Sequence, residues 1–286
     1  MLSYLHGFHA GNPADVLKHV VLVATLTHLV GKAKPLRYVE THAGAGGYDL
    51  DSPAARKNRE HDGGIGRIFS STEPPPPVAR LLELVRRYNG AGSLRRYPGS
   101  PWLACESLRP KDQLYLFERH PAEQRTLARA FSADERVKVL HEDGLHGCIG
   151  LVPPPQRRSL TLIDPSYERS DEQAAVVDAV VKAHRRFATG VVAIWYPVIE
   201  RRAADRFERT LRTALDAPIS TYDLCITQDS GARGLAGSGV FVVNPPWQLD
   251  DDMAAALPWL KTRLERDGNG SLRCQPARAD ARLTTR

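Results

Sequence analysis

Three stretches of this sequence place a carboxylate next to glycine, or at the end of an apolar run where a strand would stop. In the first, Tyr38-Val39-Glu40 leads into Thr41-His42-Ala43-Gly44-Ala45-Gly46-Gly47, an acid followed by a glycine-rich turn. Such a turn at the carboxyl edge of a first strand lets a nucleotide-like ligand approach the backbone, with Gly44 lining it. No Gly-Lys-Ser/Thr follows, so it is not a P-loop, and Asp49 rules out Gly-x-Gly-x-x-Gly. By itself it reads equally well as a plain tight turn. In the second, Leu114-Tyr115-Leu116-Phe117-Glu118 puts Glu118 where doubly wound folds bind ribose hydroxyls. A solvated charge before the turn at His120-Pro121 is the bland alternative. In the third, Asp143-Gly144 offers a carboxylate and a free amide that could read a cofactor adenine. Taken in succession, the three point to a nucleoside-bearing cofactor more strongly than any one does.

The sharpest signal closes a fourth apolar run, Leu160-Thr161-Leu162-Ile163-Asp164-Pro165-Ser166-Tyr167. It resembles the Asp-Pro-Pro-Tyr motif of adenine-N6 methyltransferases, with Ser166 in the third place. An adenine amine delocalises its lone pair into the ring, so the nitrogen must become more sp3-like before it can attack a methyl group. The resemblance implies that Asp164 and the Pro165 carbonyl accept the two N–H hydrogens while Tyr167 stacks on the base. That is catalysis by positioning and electrostatics. A base buried in a helix has to leave its stack to reach such a pocket. Asn244-Pro245-Pro246-Trp247 matches the general tetrad more literally. Strand order favours Asp164, which should close the fourth strand beside the first at the topological switch point. Asn244 should end the last antiparallel strand, as a turn into the final helix. Ahead of the first helix, Tyr4, His6 and His9 form an aromatic, basic arm that could cover the pocket, or a packed surface turn. His6 and His9 lack an accompanying carboxylate or Cys cluster, so no metal is expected.

The elements that must hold these groups are readable from periodicity. Asn12-Pro13 is a helix start, and Val16, Val20, Val23, Leu26 and Leu29 form a buried stripe ending near Val30, with Lys18 and His19 at its border. Short β-rich runs follow at 36–40, 113–118, 136–140, 159–164 and 190–196, with helical stretches at 171–187 and 200–215. The alternation predicts a doubly wound parallel sheet with helices on both faces. Runs at 219–226 and 239–243 are joined by the loop Ser230–Ser238, too short for a crossover, and should pair antiparallel. Residues 48–98, with Pro74-Pro75-Pro76-Pro77 and a helical stretch at 78–88, read as an inserted helical subdomain. The division is then 1–47 for the arm, first helix and first strand, 48–98 for the insertion, 99–265 for the remainder, and 266–286 for a flexible tail.

Composition sets wider bounds. With 286 residues, 42% hydrophobic and 25% charged, the chain can bury a substantial core. Its net charge of +6 suits a polyanionic partner or ordinary basic solubility about equally. No basic segment followed by an apolar run opens the chain, and its apolar stretches look too short to span a bilayer, so no membrane role is expected. Cys105, Cys148, Cys225 and Cys274 are scattered without a Cys-x-x-Cys pair, which suits a reducing cytoplasm. Nothing demands a partner copy, so a monomer is expected.

Several motifs then converge: Phe8-His9-Ala10-Gly11-Asn12, Ala14-Asp15-Val16-Leu17-Lys18-His19, Thr41 to Gly46, Tyr97-Pro98-Gly99-Ser100-Pro101, Asp164-Pro165-Ser166-Tyr167-Glu168 and Trp195-Tyr196-Pro197. As a set, and from Met1 to about Leu260, the chain resembles the RlmJ family of 23S ribosomal RNA adenine-N6 methyltransferases. The resemblance implies a class I S-adenosylmethionine-dependent methyltransferase fold, a Rossmann-like seven-stranded sheet with its last strand antiparallel and a helical insertion after the first strand. It implies that Lys18, His19, His42, Gly44, Ser100, Glu118, Asp143, Gly144 and Asp164 surround S-adenosylmethionine. Asp164, Pro165 and Tyr167 would carry catalysis, and Tyr4, His6 and Tyr167 would meet the RNA. Ser166 departs from the usual Pro and removes a φ constraint from the loop. Related tetrads also serve DNA adenine and protein glutamine, and a nonenzymatic RNA-binding module could keep the same fold.

Overall fold

The computed structural model describes residues 5–90, 92–228 and 234–277. Asn12 caps the first helix, α1 (Pro13–Val30), by accepting the Asp15 N–H at 2.9 Å, and Pro13 presets its first turn. The helix is buried over all of Pro13–Leu26 and not along one stripe, so Lys18 and His19 lie inside, 5% and 1% exposed, instead of at a border. The reason is its position between the sheet and three other helices. A helix covered all round is apolar all round, and α1 is in fact long and apolar enough to cross a membrane, contrary to the sequence expectation, although 78% of it is buried inside the fold.

After β1 (Arg37–Glu40) the insertion begins and ends as a ribbon, β2 (Gly47–Asp49) pairing antiparallel with β3 (Arg96–Pro98). Between them come α2 (Pro53–Asn58), a 3-10 turn at Glu60–Gly63, α3 (Ile65–Ile68) and α4 (Pro76–Asn89). Leu81, Leu82 and Val85 of α4 join the same apolar core as α1 and the sheet, so the insertion shares the main core. The chain continues through α5 (Ser100–Ser107), β4 (Gln113–Phe117), α6 (Pro121–Ala130), β5 (Val137–Leu140), α7 (Gly144–Gly150), β6 (Ser159–Ile163), α8 (Glu172–Arg186) and β7 (Val191–Val198). It ends with α9 (Arg201–Ala214), β8 (Ile219–Cys225), β9 (Gly237–Val243), α10 (Leu249–Leu264) and β10 (Ser271–Gln275).

The main sheet has the order β10-β8-β9-β7-β6-β1-β4-β5. From β5 to β7 the strands are parallel; β9 is antiparallel to both β7 and β8. The sheet therefore has eight strands, not seven, because β10 pairs antiparallel with β8. Residues 271–275 belong to this edge strand and not to a loose tail. Arg273 is what fixes it: its guanidinium bonds Asp223 and Glu208 on one side while Cys274 packs against the core on the other. Helices α1, α4 and α10 cover one face of the sheet, and α8 and α9 the other. Glu40 in β1 lies level with Leu116 of β4 and Leu162 of β6, so the ends of these three strands open at one edge, where the chain switches sides.

Candidate active site

The turn after β1 sits at that switch point. Gly44 has φ +61°, and a Cβ there would lie 2.3 Å from the Tyr48 hydroxyl, so only glycine fits. Its N–H donates to Glu118 Oε2 at 2.8 Å, while the His120 N–H donates to Oε1 at 2.6 Å. Glu118 thus ties the end of β4 to the glycine turn. Asp143 caps α7 by accepting the His146 N–H and pairs with Arg119 at 3.0 Å. Gly144, next along, packs so closely on the turn that a Cβ would lie 2.1 Å from the Thr41 carbonyl oxygen. Thr41 also bonds the ring of His42, which burial keeps below its ordinary pKa and hence neutral.

Across the β1–β6 boundary stands Asp164. Lys18 donates to its Oδ2 at 2.6 Å and to Asp15 Oδ1 at 2.8 Å, an ammonium bridging two carboxylates deep in the fold. The two carboxylates hold the ammonium above the ordinary lysine range, and Lys18 and His6 hold Asp15 below the usual carboxylate range, in both cases against the effect of burial. His6 Nε2 donates to Asp15 Oδ2 at 2.8 Å, which places it at the base of this relay; Tyr4 lies outside the described residues. His9 goes instead to Glu60, so the two histidines turn to different carboxylates. Among the described residues no group of His, Cys, Asp and Glu could hold a metal.

A second buried layer lies below. Glu40 accepts from Ser100 Oγ at 2.5 Å and from Tyr38 Oη at 2.8 Å, and burial pushes its carboxyl up to about 8. His19 bonds Tyr97 Oη through Nδ1 at 2.9 Å and leaves a buried Nε2 without a partner among the described residues; burial lowers its pKa to about 3, so it stays neutral. Tyr167 takes the left-handed conformation, φ +53°, and its hydroxyl donates to the Trp195 carbonyl at 2.7 Å. The ring is thereby fixed near Trp195 and Phe207. Asn244 lies elsewhere: it follows Val243, which pairs with Val192 at the start of β7, the opposite edge of the sheet.

The arrangement therefore brings together His6, Lys18, His19, His42, Gly44, Ser100, Glu118, Asp143, Gly144, Asp164 and Tyr167 on one edge. Not singled out as site residues by the sequence reading were Asp15, Tyr97 and Trp195, whose roles depend on partners far along the chain. Asp15 carries one local signal, its i,i+3 spacing from Lys18. This edge carries groups suited to a nucleoside-bearing cofactor. It has a glycine cradle that a Cβ would fill, a strand-end carboxylate, and an orphan imidazole nitrogen able to bond a polar group.

With that geometry established, comparison with known proteins is decisive. The family model described as "Ribosomal RNA large subunit methyltransferase D, RlmJ" matches residues 33–275. The chain belongs to the RlmJ family. "Ribosomal RNA large subunit methyltransferase J" of Haemophilus influenzae is 42% identical over 272 residues, covering 95% of this chain and 97% of that protein. The protein of the same name from Escherichia coli K12 is 42% identical over 270 residues, covering 94% and 96%. A crystal structure of a Legionella pneumophila protein is 34% identical and superposes with a TM-score of 0.87, covering 94% of this chain and 98% of that one. Membership makes this RlmJ chain a ribosomal RNA methyltransferase, and the mainly parallel sheet with antiparallel β9 agrees with the class I methyltransferase fold that the resemblance implies, with β10 added as an eighth strand.

Proposed function

We propose that this RlmJ-family enzyme transfers the methyl group of S-adenosylmethionine to the N6 amine of an adenine in 23S ribosomal RNA. The observation that carries this reading is the placement of Asp164 at the end of β6, beside the glycine turn and fixed by Lys18 at 2.6 Å. With Oδ2 engaged by the ammonium, the other carboxylate oxygen is left for an amine N–H. The Pro165 carbonyl is the second acceptor. Accepting both hydrogens steers the nitrogen lone pair out of the ring plane and toward the donor, which is positioning and electrostatic work. S-adenosylmethionine supplies the electrophilic methyl when bound. Glu118 would take its ribose hydroxyls, Asp143 and the Gly144 amide its adenine, and Gly44, His42, Ser100, His19 and Lys18 would surround the rest. Tyr167, with its hydroxyl tethered, presents an aromatic surface to the extruded base, and Tyr4 and His6 belong to the RNA side. Action as a cytoplasmic monomer is part of the same proposal.

The test is incubation with tritiated S-adenosylmethionine and unmodified 23S RNA, with DNA and glutamine peptides as competing acceptors. Label in N6-methyladenine of the RNA is expected, and label confined to DNA or peptide would reassign the substrate. Asp164→Ala should bring turnover to background and leave the protein folded. Turnover at the parent rate in that variant would overturn the assignment of the catalytic group.

A further inference from the structure

On the same sheet edge as Asp164, a cavity opens between the first turn of α1, the end of α2 and the adjoining ends of β8 and β9. Its volume is about 410 Å3, inside the usual span of small-molecule sites. Leu224, Ile226 and Leu235 form an apolar wall, and Asn58, Glu60, Ser238 and Arg266 supply polar groups. Ser238 is 1% exposed, and its Oγ has no hydrogen-bond partner among the described residues. A buried hydroxyl is seldom left in that state in the absence of a ligand or water to complete it. The Arg266 guanidinium makes no ion pair among the described residues, although its backbone is anchored to Ile226.

The cavity is tied to the catalytic edge by two elements. Asn12 and Pro13 form one of its walls, and the same helix carries Lys18, which bonds Asp164, and Asp15, the other partner of that ammonium. Ser238 pairs with Pro197, two residues beyond the Trp195 carbonyl that tethers Tyr167. Strand β9 lies two strands from β6, roughly 10 Å across the sheet, which an extended RNA strand spans in a few nucleotides. Glu60 disfavours a phosphate inside the cavity, because hydrogen bonds from His9 and Asn12 hold its carboxylate below the ordinary range and charged. A base or ribose has what the interior asks for: a flat apolar face, and N–H or O–H groups for Ser238 and Glu60. Arg266, exposed at the mouth, suits the backbone phosphate.

We infer that this cavity is a second nucleotide subsite, which receives the base and ribose of an unpaired nucleotide a few positions from the target adenosine in the same RNA. The inference rests on the RNA methyltransferase reading above. Its test is a coupling cycle on a 23S RNA fragment carrying single abasic substitutions at each position flanking the target. Ser238→Leu fills the cavity from below. It should raise KM for intact RNA about tenfold, leave kcat within about twofold and leave calorimetric affinity for S-adenosylmethionine unchanged. At one flanking position the abasic substitution should raise the parent enzyme's KM by a similar factor, and add nothing further in Ser238→Leu. Unchanged KM in the variant, or independent losses at every position, would overturn the subsite. If melting shows Ser238→Leu unfolded, Asn58→Trp closes the cavity from its exposed rim and the same cycle applies. An RNA left unlabelled by the parent enzyme would instead remove the methyltransferase assignment, so the two failures are distinguishable.

Discussion

At the scale of the residue, the site is governed by one buried cation. Lys18 bonds both Asp15 and Asp164, so replacing it leaves two carboxylates in the interior with their shared counter-charge gone. Breaking a buried pair in this way costs about 3–5 kcal/mol. Lys18→Met should therefore lower the melting temperature and reduce kcat, because Asp164 loses the contact that aims it; a variant with parent stability would show the pairing to be dispensable. Glu40 makes a prediction in pH. Its folded pKa of about 8 stands above an unfolded value near 4.5, so below the latter both states hold the proton. As pH rises between them the unfolded chain ionises first, and the stability contributed by the protonated carboxyl is lost as pH passes through about 8. Glu40→Gln keeps the shape and removes the titration. Its melting temperature relative to the parent should rise between about pH 4.5 and about pH 8 and level off above, and parallel curves would refute the shift. Sequence showed the groups that end strands, since a carboxylate after an apolar run is a local pattern. It could not show Lys18 meeting Asp164, because 146 residues separate them and only the strand order brings them together.

At the scale of the element, α1 is at once core, cap and part of the site. Asn12 accepts the Asp15 N–H and donates from Nδ2 to Glu60 at 3.0 Å, so one side chain both starts the helix and binds it to the insertion. Asn12→Ala should cost about 0.5–2 kcal/mol for the cap, read as a lower denaturant midpoint with unchanged slope. A change within error would mean that water replaces the cap. The start of this helix and the five parallel strands were legible because caps and β-rich runs are local signals. Two features were not. The ribbon β2–β3 has only three residues on each side and is separated by the whole insertion. Edge strand β10 carries Arg273 toward a carboxylate cluster, so its alternation is hidden in a polar segment whose composition reads as disorder.

At the scale of the whole molecule, the sheet sets the two tetrads at opposite edges. Asp164 follows β6 at the carboxyl edge, whereas β9 runs antiparallel and delivers Asn244 to the opposite edge, roughly 20 Å away along a seven-residue strand. There Asn244 adopts φ +53° and donates from Nδ2 to the carbonyls of Ala188 and Gly190, each at 2.8 Å, fastening the end of β9 to the entry of β7. Asparagine tolerates the left-handed conformation better than most residues, and its amide satisfies two carbonyls at once. Trp247, three residues on, is 65% exposed. The structural job predicts a separation of effects. Asn244→Ala should lose about 1–3 kcal/mol, from the two hydrogen bonds and an alanine forced into that conformation, while kcat per folded molecule stays at the parent value. Asp164→Ala should instead lose kcat in every folded molecule, whatever stability goes with its contact to Lys18. Denaturant titration and single-turnover methylation on the two variants together measure this. Loss of turnover in folded Asn244→Ala would move the chemistry to the far edge of the sheet, where neither the glycine turn nor Glu118 could take part.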